Sequence, residues 1–169
     1  MASVFLLFAF ISPILLNWSY HFVLIFLFTA IILVFSHFKH GPILSILLAL
    51  KKGNISKAQQ LLESIQRPQW LNKRYLTYYY FAKALLASHK QDANEAIQYS
   101  EKAIASPYLQ EHEKSMLRYN MSRSYFEQKD FTASRKQLEM IQISSLKDLF
   151  LKQRVEQLSE ALKNQSNEK

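Results

Sequence analysis

Polar, small and apolar residues recur along this sequence at one constant spacing, and this repetition restricts the folds that the chain can adopt. Asn54, Asp92 and Asp130 are separated by this spacing, and each is a residue type that favours the N-terminal cap of a helix. A small residue follows each cap four positions later: Ala58, Ala96 and Ser134. Because one shift aligns several classes of residue, we interpret it as an internal repeat.

Each repeat predicts a first helix, a tight turn and a second helix. The predicted first helices cover residues 43–52, 71–89 and 111–128, and the predicted second helices cover residues 55–66, 93–105 and 131–143. A last helix is predicted over residues 146–162, with one apolar side formed by Leu146, Leu149, Phe150, Leu158 and Leu162. We therefore expect an all-α fold: an α-solenoid of about three helix pairs and a C-terminal capping helix over residues 41–163, with a disordered tail over residues 164–169.

The second helices carry a recurring apolar pattern, which is given by Ala58, Leu62 and Ile65 in the first unit and by Ser134, Leu138 and Ile141 in the third. The middle unit matches at Ala96 and Ala103, although Ser100 stands where the others have leucine. In this pattern residues 43–143 resemble the tetratricopeptide repeat family, whose usual period of about 34 residues is slightly shorter than the one here. The resemblance implies stacked helix pairs and does not by itself imply a biological role.

The N-terminal part of the chain has a different character, because residues 1–38 contain no Lys, Arg, Asp or Glu. Residues 18–38 would form roughly 31 Å of helix, which is enough to cross a hydrocarbon core. Residues 2–16 are shorter and contain Pro13. They form either a first span or a secretory signal peptide that lacks a basic N-terminal region. We predict a transmembrane helical hairpin, with spans at about residues 2–16 and 18–38, in an anchor domain over residues 1–40.

All 21 basic and all 13 acidic residues follow this part, which gives a net charge of +8. Lysines just after the second span predict a cytoplasmic C-terminal domain. A membrane anchor followed by such repeats resembles bacterial membrane proteins that act as assembly or regulatory scaffolds, which implies an integral protein of a bacterial inner membrane. The basic excess has three interpretations: a solvated surface, contact with anionic lipid headgroups, or attraction of an acidic partner segment. We do not expect nucleic acid binding, because the sequence has no basic run and no RNA- or DNA-binding motif.

An aromatic cluster from Tyr75 to Phe81 marks one predicted first helix. First helices line the concave groove in repeats of this kind, and Tyr, Asn and Arg side chains suit peptide recognition. The candidate peptide-groove residues are Tyr78, Tyr79, Lys83, Tyr119, Asn120 and Arg123. The alternative is ordinary packing with a solvated rim, and we expect Phe81, Ala84 and Leu85 to lie in the core.

Other residue types argue against chemistry. The chain has no cysteine and only two glycines, which excludes a thiolate site and disfavours a phosphate-binding loop. The five histidines form no spacing typical of a metal or haem site, and the acidic residues fall at helix starts. We therefore expect no enzyme activity, no cofactor, no metal and no small-molecule substrate.

Two functional hypotheses follow from these features. The first is a membrane-anchored scaffold or adaptor that mediates protein–protein interaction at the cytoplasmic membrane face, through a peptide segment of its partner. The second is a structural accessory subunit of a larger membrane protein complex, which would use the hairpin as its main interface. In both hypotheses the expected partners are another protein and membrane lipid.

Overall fold

The structure is a computed structural model that describes residues 21–40, 42–142 and 148–167. These residues form eight α-helices and one short 3₁₀ helix, and none of them lies in a strand. The helices are α1 (His21–His40), α2 (Ile43–Lys51), α3 (Ile55–Glu63), the 3₁₀ helix Pro68–Trp70, α4 (Lys73–His89), α5 (Ala93–Ile104), α6 (Glu111–Glu127), α7 (Phe131–Glu139) and α8 (Leu149–Asn167). The chain divides into two compact units, Met1–Lys39 and His40–Lys169.

Helix α1 corrects the prediction of a membrane anchor. It begins at His21, and polar residues return from Ser36 onward. The apolar run Phe22–Phe35 gives about 21 Å of helix, against the roughly 30 Å of a hydrocarbon core. Within the described ranges, no helix combines the length and apolar character that crossing a membrane requires. The predicted transmembrane hairpin is therefore wrong, and so is the predicted integral location in a bacterial inner membrane; the predicted first span, residues 2–16, lies outside the described residues.

Taken by itself, α1 presents large apolar side chains around its circumference. Those from Phe22 to Ile32 are 50–67% exposed. Thr29 is the one polar residue of the apolar run, and its hydroxyl donates to the Ile25 carbonyl at 2.7 Å. The polar group is thus satisfied within the helix itself.

The second unit consists of helix pairs, and each second helix begins at a predicted cap. The Asn54 side chain accepts a hydrogen bond from the Lys57 N–H at 3.0 Å. Asp92 and Asp130 accept equivalent bonds from N–H groups three residues later, at 3.0 and 2.9 Å. Each bond satisfies one of the N–H groups that the first turn of a helix leaves without a partner. The three predicted caps are therefore confirmed.

The residue before each cap is in the left-handed region: φ is 72° at Gly53, 61° at Gln91 and 63° at Lys129. Gly53 donates to the Leu50 carbonyl at 3.0 Å, and the next N–H donates to the Ala49 carbonyl at 2.9 Å. The same pair of bonds recurs at Gln91 and at Lys129. They form a Schellman motif that ends the first helix and leads directly into the cap of the second. Only the first of the three turns has the glycine that this conformation favours.

We expect Gln91→Gly and Lys129→Gly each to raise the free energy of unfolding by about 0.5–1 kcal/mol, because glycine adopts positive φ without the steric cost of a Cβ. Gly53→Ala should lower it by about 1 kcal/mol. The loss would come from the backbone alone, since a Cβ at Gly53 meets nothing within 4 Å. Chemical denaturation measures all three changes.

Lys90→Gly is the matched control, because Lys90 lies in the same turn with φ at −78°. It should not stabilise the protein, since a glycine there only adds freedom to the unfolded chain. Equal effects of Gln91→Gly and Lys90→Gly would contradict the assignment of strain to the left-handed position.

The first helix of a pair also begins at a polar residue that recurs with the repeat. Asn72 caps α4 by accepting from the Tyr75 N–H at 2.9 Å. At the start of α6, the Gln110 N–H donates to the Glu113 carboxylate at 2.8 Å. Asp148 caps α8 by accepting from the Phe150 N–H at 2.9 Å. Asn72, Gln110 and Asp148 have the same spacing as the caps of the second helices, so α8 occupies the place of the first helix of a fourth pair.

This register determines which face of α8 is buried. Leu151, Val155 and Leu162 are buried, whereas Leu149 and Phe150 are 79% and 62% exposed. The predicted apolar side of the last helix was therefore wrong at its start, because Asp148 caps a helix that begins at Leu149. Leu146 lies outside the described residues. Helix α8 continues to Asn167, four residues into the segment predicted as a tail.

Small residues lie where the helices of a pair cross. Ala58, Ala96 and Ser134 are fully buried on α3, α5 and α7. In the third pair the Ser122 hydroxyl lies 2.9 Å from the Ser134 carbonyl, and the Ser134 hydroxyl donates to the Ser122 carbonyl at 2.8 Å. Ser100, which replaces the leucine of the other units, is fully buried, and its hydroxyl has no hydrogen-bond partner among the described residues.

Two serine-to-alanine variants should therefore change stability in opposite directions. Ser122→Ala removes a buried hydrogen bond and should lower the free energy of unfolding by about 1 kcal/mol or more. Ser100→Ala removes a buried hydroxyl without a partner and should raise it by up to about 1 kcal/mol. Thermal and urea unfolding of both variants measure the signs. A loss of stability in Ser100→Ala would mean that its hydroxyl does find a partner.

Candidate functional site

The six candidate groove residues lie on α4 and α6 but do not form one surface. Tyr79 is buried in an apolar cluster with residues of α2 and α3. Lys83 instead donates to the Tyr99 hydroxyl on α5. Tyr78 turns toward α6, and its hydroxyl lies 3.3 Å from the Glu113 carboxylate. Tyr119 packs against the apolar cluster shared by α7 and α8. The two first helices thus direct these four side chains into different environments.

The other two candidate groove residues are Arg123 and Asn120. Arg123 is exposed and forms an ion pair with Glu127 on its own helix, at 2.9 Å. Pairs of this kind contribute only a few tenths of a kcal/mol to stability. Asn120 is partly buried on α6. Of the predicted core residues, Phe81 and Ala84 are buried and Leu85 is partly buried.

Lys83 is the centre of the best-defined polar cluster in the described part of the chain. Its ammonium donates to the Tyr99 hydroxyl at 3.0 Å and lies 4.5 Å from the centre of the Tyr99 ring. It also lies 5.8 Å from the centre of the Tyr79 ring. The Glu95 carboxylate is 3.8 Å away, at the edge of ion-pair distance. The ammonium is therefore fixed by aromatic groups, with one loosely placed carboxylate beside it.

A second lysine, Lys102, also lies close to the Tyr99 ring. The Lys102 ammonium lies 5.1 Å from the centre of the Tyr99 ring and 5.8 Å from that of Tyr80. The Tyr80 and Tyr99 rings stack, with centres 6.0 Å apart and planes 20° apart. We call the side chains of Tyr79, Tyr80, Lys83, Tyr99 and Lys102 the cation–tyrosine cluster. It holds two ammonium groups around a single phenol ring.

The electrostatics keep Lys83 charged. Partial burial lowers the pKa of Lys83, but the hydrogen bond to Tyr99 and the neighbouring Tyr79, Tyr99 and Glu95 groups together raise this pKa above its ordinary value. Burial also raises the pKa of Tyr79, against the opposing effect of the Lys83 charge. At neutral pH Lys83 therefore carries its charge, and the Tyr79 phenol is neutral.

Lys83 also lies at a cleft between the first and second helix pairs. The cleft has a volume of about 180 Å³. It is lined by Gln59, Leu62, Glu63, Lys83, Leu86, Ala87, Lys90 and Glu95. These residues come from α3, α4 and α5, so both second helices contribute to its walls. The floor is apolar, and the rim carries two lysines and two glutamates.

Sequence reasoning missed the residues that α5 contributes to the cluster, because it searched the first helices alone. Glu95, Tyr99 and Lys102 lie on the second helix α5, at spacings of four and three residues. Such spacings place residues on one face of a helix. A charged and aromatic stripe on α5 was therefore present in the sequence. Its meeting with Lys83 depends on how α4 and α5 cross.

No group of three or more His, Asp or Glu side chains within the described ranges is arranged to hold a metal ion. A comparison of the chain with protein-family models, curated proteins and solved structures gives no match. The geometry of the cluster and of the cleft therefore carries the functional argument.

Proposed function

We propose that this chain is a scaffold of stacked helix pairs that binds an acidic segment of a partner protein at the Lys83 cleft. The observation that carries the proposal is the position of the Lys83 ammonium, which aromatic rings hold at the mouth of a cleft with an apolar floor. Fixed cations beside apolar surface are typical of sites that take a charged side chain together with its aliphatic stem.

The size of the cleft indicates what it accepts. Pockets for drug-sized ligands measure about 300–1,000 Å³, so a cleft of about 180 Å³ suits one or two side chains of a longer segment. The rest of the segment would extend over neighbouring helices. A protein segment therefore fits this site better than a small molecule does.

The charges of the chain and of the cleft indicate that the partner segment is acidic. The chain carries a net charge of +8, and the partly exposed Lys83 has only one carboxylate within ion-pair distance among the described residues. An incoming carboxylate would replace Glu95 as the partner of Lys83 without displacing the bond to Tyr99. With Lys90 on the same rim and Lys102 in the cluster, three lysines stand against the two glutamates of the rim, and this excess of positive charge favours the approach of an acidic segment.

The proposal predicts that Lys83→Met weakens binding of a fluorescein-labelled hexaglutamate peptide about tenfold, which corresponds to a loss of about 1.4 kcal/mol. Fluorescence polarisation on the full chain measures it. Because the pKa of Lys83 is raised, its charge persists as the pH rises, and the difference between the two proteins should hold from pH 7 to about pH 9.

Lys136→Met is the charge-matched control, because Lys136 is an exposed lysine on α7 away from the cleft. It lowers the net charge by the same single unit and should leave the affinity within about twofold. Equal losses in the two variants would show that hexaglutamate responds to net charge alone. That result would overturn the assignment of the site.

A further inference from the structure

The first helix pair exposes two leucines at positions that are buried or partly buried in the later units. Leu48 of α2 is 58% exposed, whereas its equivalents in the later units, Leu86, Ser124 and Leu162, are 2–5% exposed. Leu44 is 65% exposed, and its equivalent Ala82 is fully buried. We call Leu44 and Leu48 the open face of α2. They lie one helical turn apart, on the same side of the helix.

The later units show what covers such a face. Ala82 and Leu86 belong to one apolar cluster with Ala58 and Leu62 of α3. Leu162 of α8 likewise packs in a cluster with Leu138 of α7 and with Ile141, which follows that helix. In each case the covering element is the second helix of the preceding pair. That helix offers a small residue and, four positions later, a leucine.

The opposite end of the stack, at α8, has a polar outer face that needs no covering helix. Where α4 and α6 carry the small residues Ala84 and Ser122 against their second helices, α8 carries the exposed Glu160. Lys163 is likewise exposed, at the place of Ala87 and Tyr125. A polar outer face is what solvates the end of a repeat array. The stack is therefore closed at α8 and apolar at α2.

Charges around the open face add a further constraint on its occupant. Lys51 and Lys52 are exposed at the end of α2. Lys52 is equivalent to Lys90, which shares the rim of the cleft with Gln59 and Glu63 of the covering helix. An occupant in the same register would place an acidic or amide residue next to Lys52, directly after its leucine.

We propose that the open face of α2 is the docking site for an amphipathic helix of another protein, with a small residue, a leucine four positions later and an acidic residue after it. A second copy of this chain does not supply such a helix from its described part, because Ala58, Ala96 and Ser134 are already buried within their own stack. This site is separate from the Lys83 cleft and does not depend on the proposed function.

The chain itself provides the probe. A peptide with the sequence of residues 54–66, stapled on its polar side, contains Ala58, Leu62 and Glu63 in the required order. We expect it to bind the full chain, and we expect Leu48→Asp to lower its affinity at least about tenfold, because a carboxylate would replace an apolar contact. Leu149→Asp is the matched control at an exposed leucine on α8, and it should leave the affinity unchanged.

Three results would overturn the proposal. The first is an absence of peptide binding, or equal binding to Leu48→Asp and the native chain. The second is self-association of the full chain that Leu48→Asp abolishes, which would make a second copy the occupant.

The third result concerns access of reagents to the open face. Since the chain has no native cysteine, the single cysteine of Leu48→Cys or of Leu149→Cys can be labelled alone. Protection of Leu48→Cys but not Leu149→Cys from a thiol reagent would show that the face is already covered.

Lys83→Met provides the distinction from the proposed function. It should leave binding of the stapled peptide to the open face unchanged, and Leu48→Asp should leave binding of hexaglutamate unchanged. If Lys83→Met weakened the stapled peptide as much as Leu48→Asp does, the peptide would be binding at the cleft, and the open face would not be its site.

Discussion

The helix-pair unit depends on one short hydrogen-bonded turn that recurs with the period of the sequence. A left-handed residue ends each first helix, and the next residue caps the second helix with its side chain. The turn satisfies backbone groups of both helices within three residues, so it fixes the direction in which the chain reverses. The crossing at Ala58, Ala96 and Ser134 follows from that direction. Everything that the stack presents to a partner is positioned by these turns.

The cation–tyrosine cluster shows how a regular stack acquires a local feature. Ser100 stands where the other units have leucine, and the neighbouring Tyr99 points its ring at two ammonium groups. A phenol ring attracts cations through its face, while its hydroxyl accepts a hydrogen bond. Both properties are used by Lys83. In the middle helix pair, the polar Ser100 therefore replaces the apolar residue directly next to Tyr99, the residue that contacts both lysines.

The two ends of the stack differ for a physical reason. Stacked repeats bury apolar faces only against their neighbours, so a terminal face must be polar or find a partner. Helix α8 has a polar terminal face, which carries Glu160 and Lys163. Helix α2 has an apolar one, because Leu44 and Leu48 are exposed. Apolar side chains at the stacking positions of one end are typical of a surface that binds a partner. The two ends of the stack therefore differ in chemistry.

The sequence by itself determined the helix pairs, because caps such as Asp92 act within three residues of their position and need no distant contact. It also indicated the burial of Ala58, Ala96 and Ser134 through their spacing. It misjudged α1, where an uncharged stretch suggested a longer apolar helix than the described residues contain. It also misjudged Leu149 and Phe150, whose exposure depends on where Asp148 starts α8. Only the tertiary structure decided that Lys83 meets Tyr99 and that Leu48 lacks a cover, because both depend on contacts between helices whose relative placement no local pattern encodes.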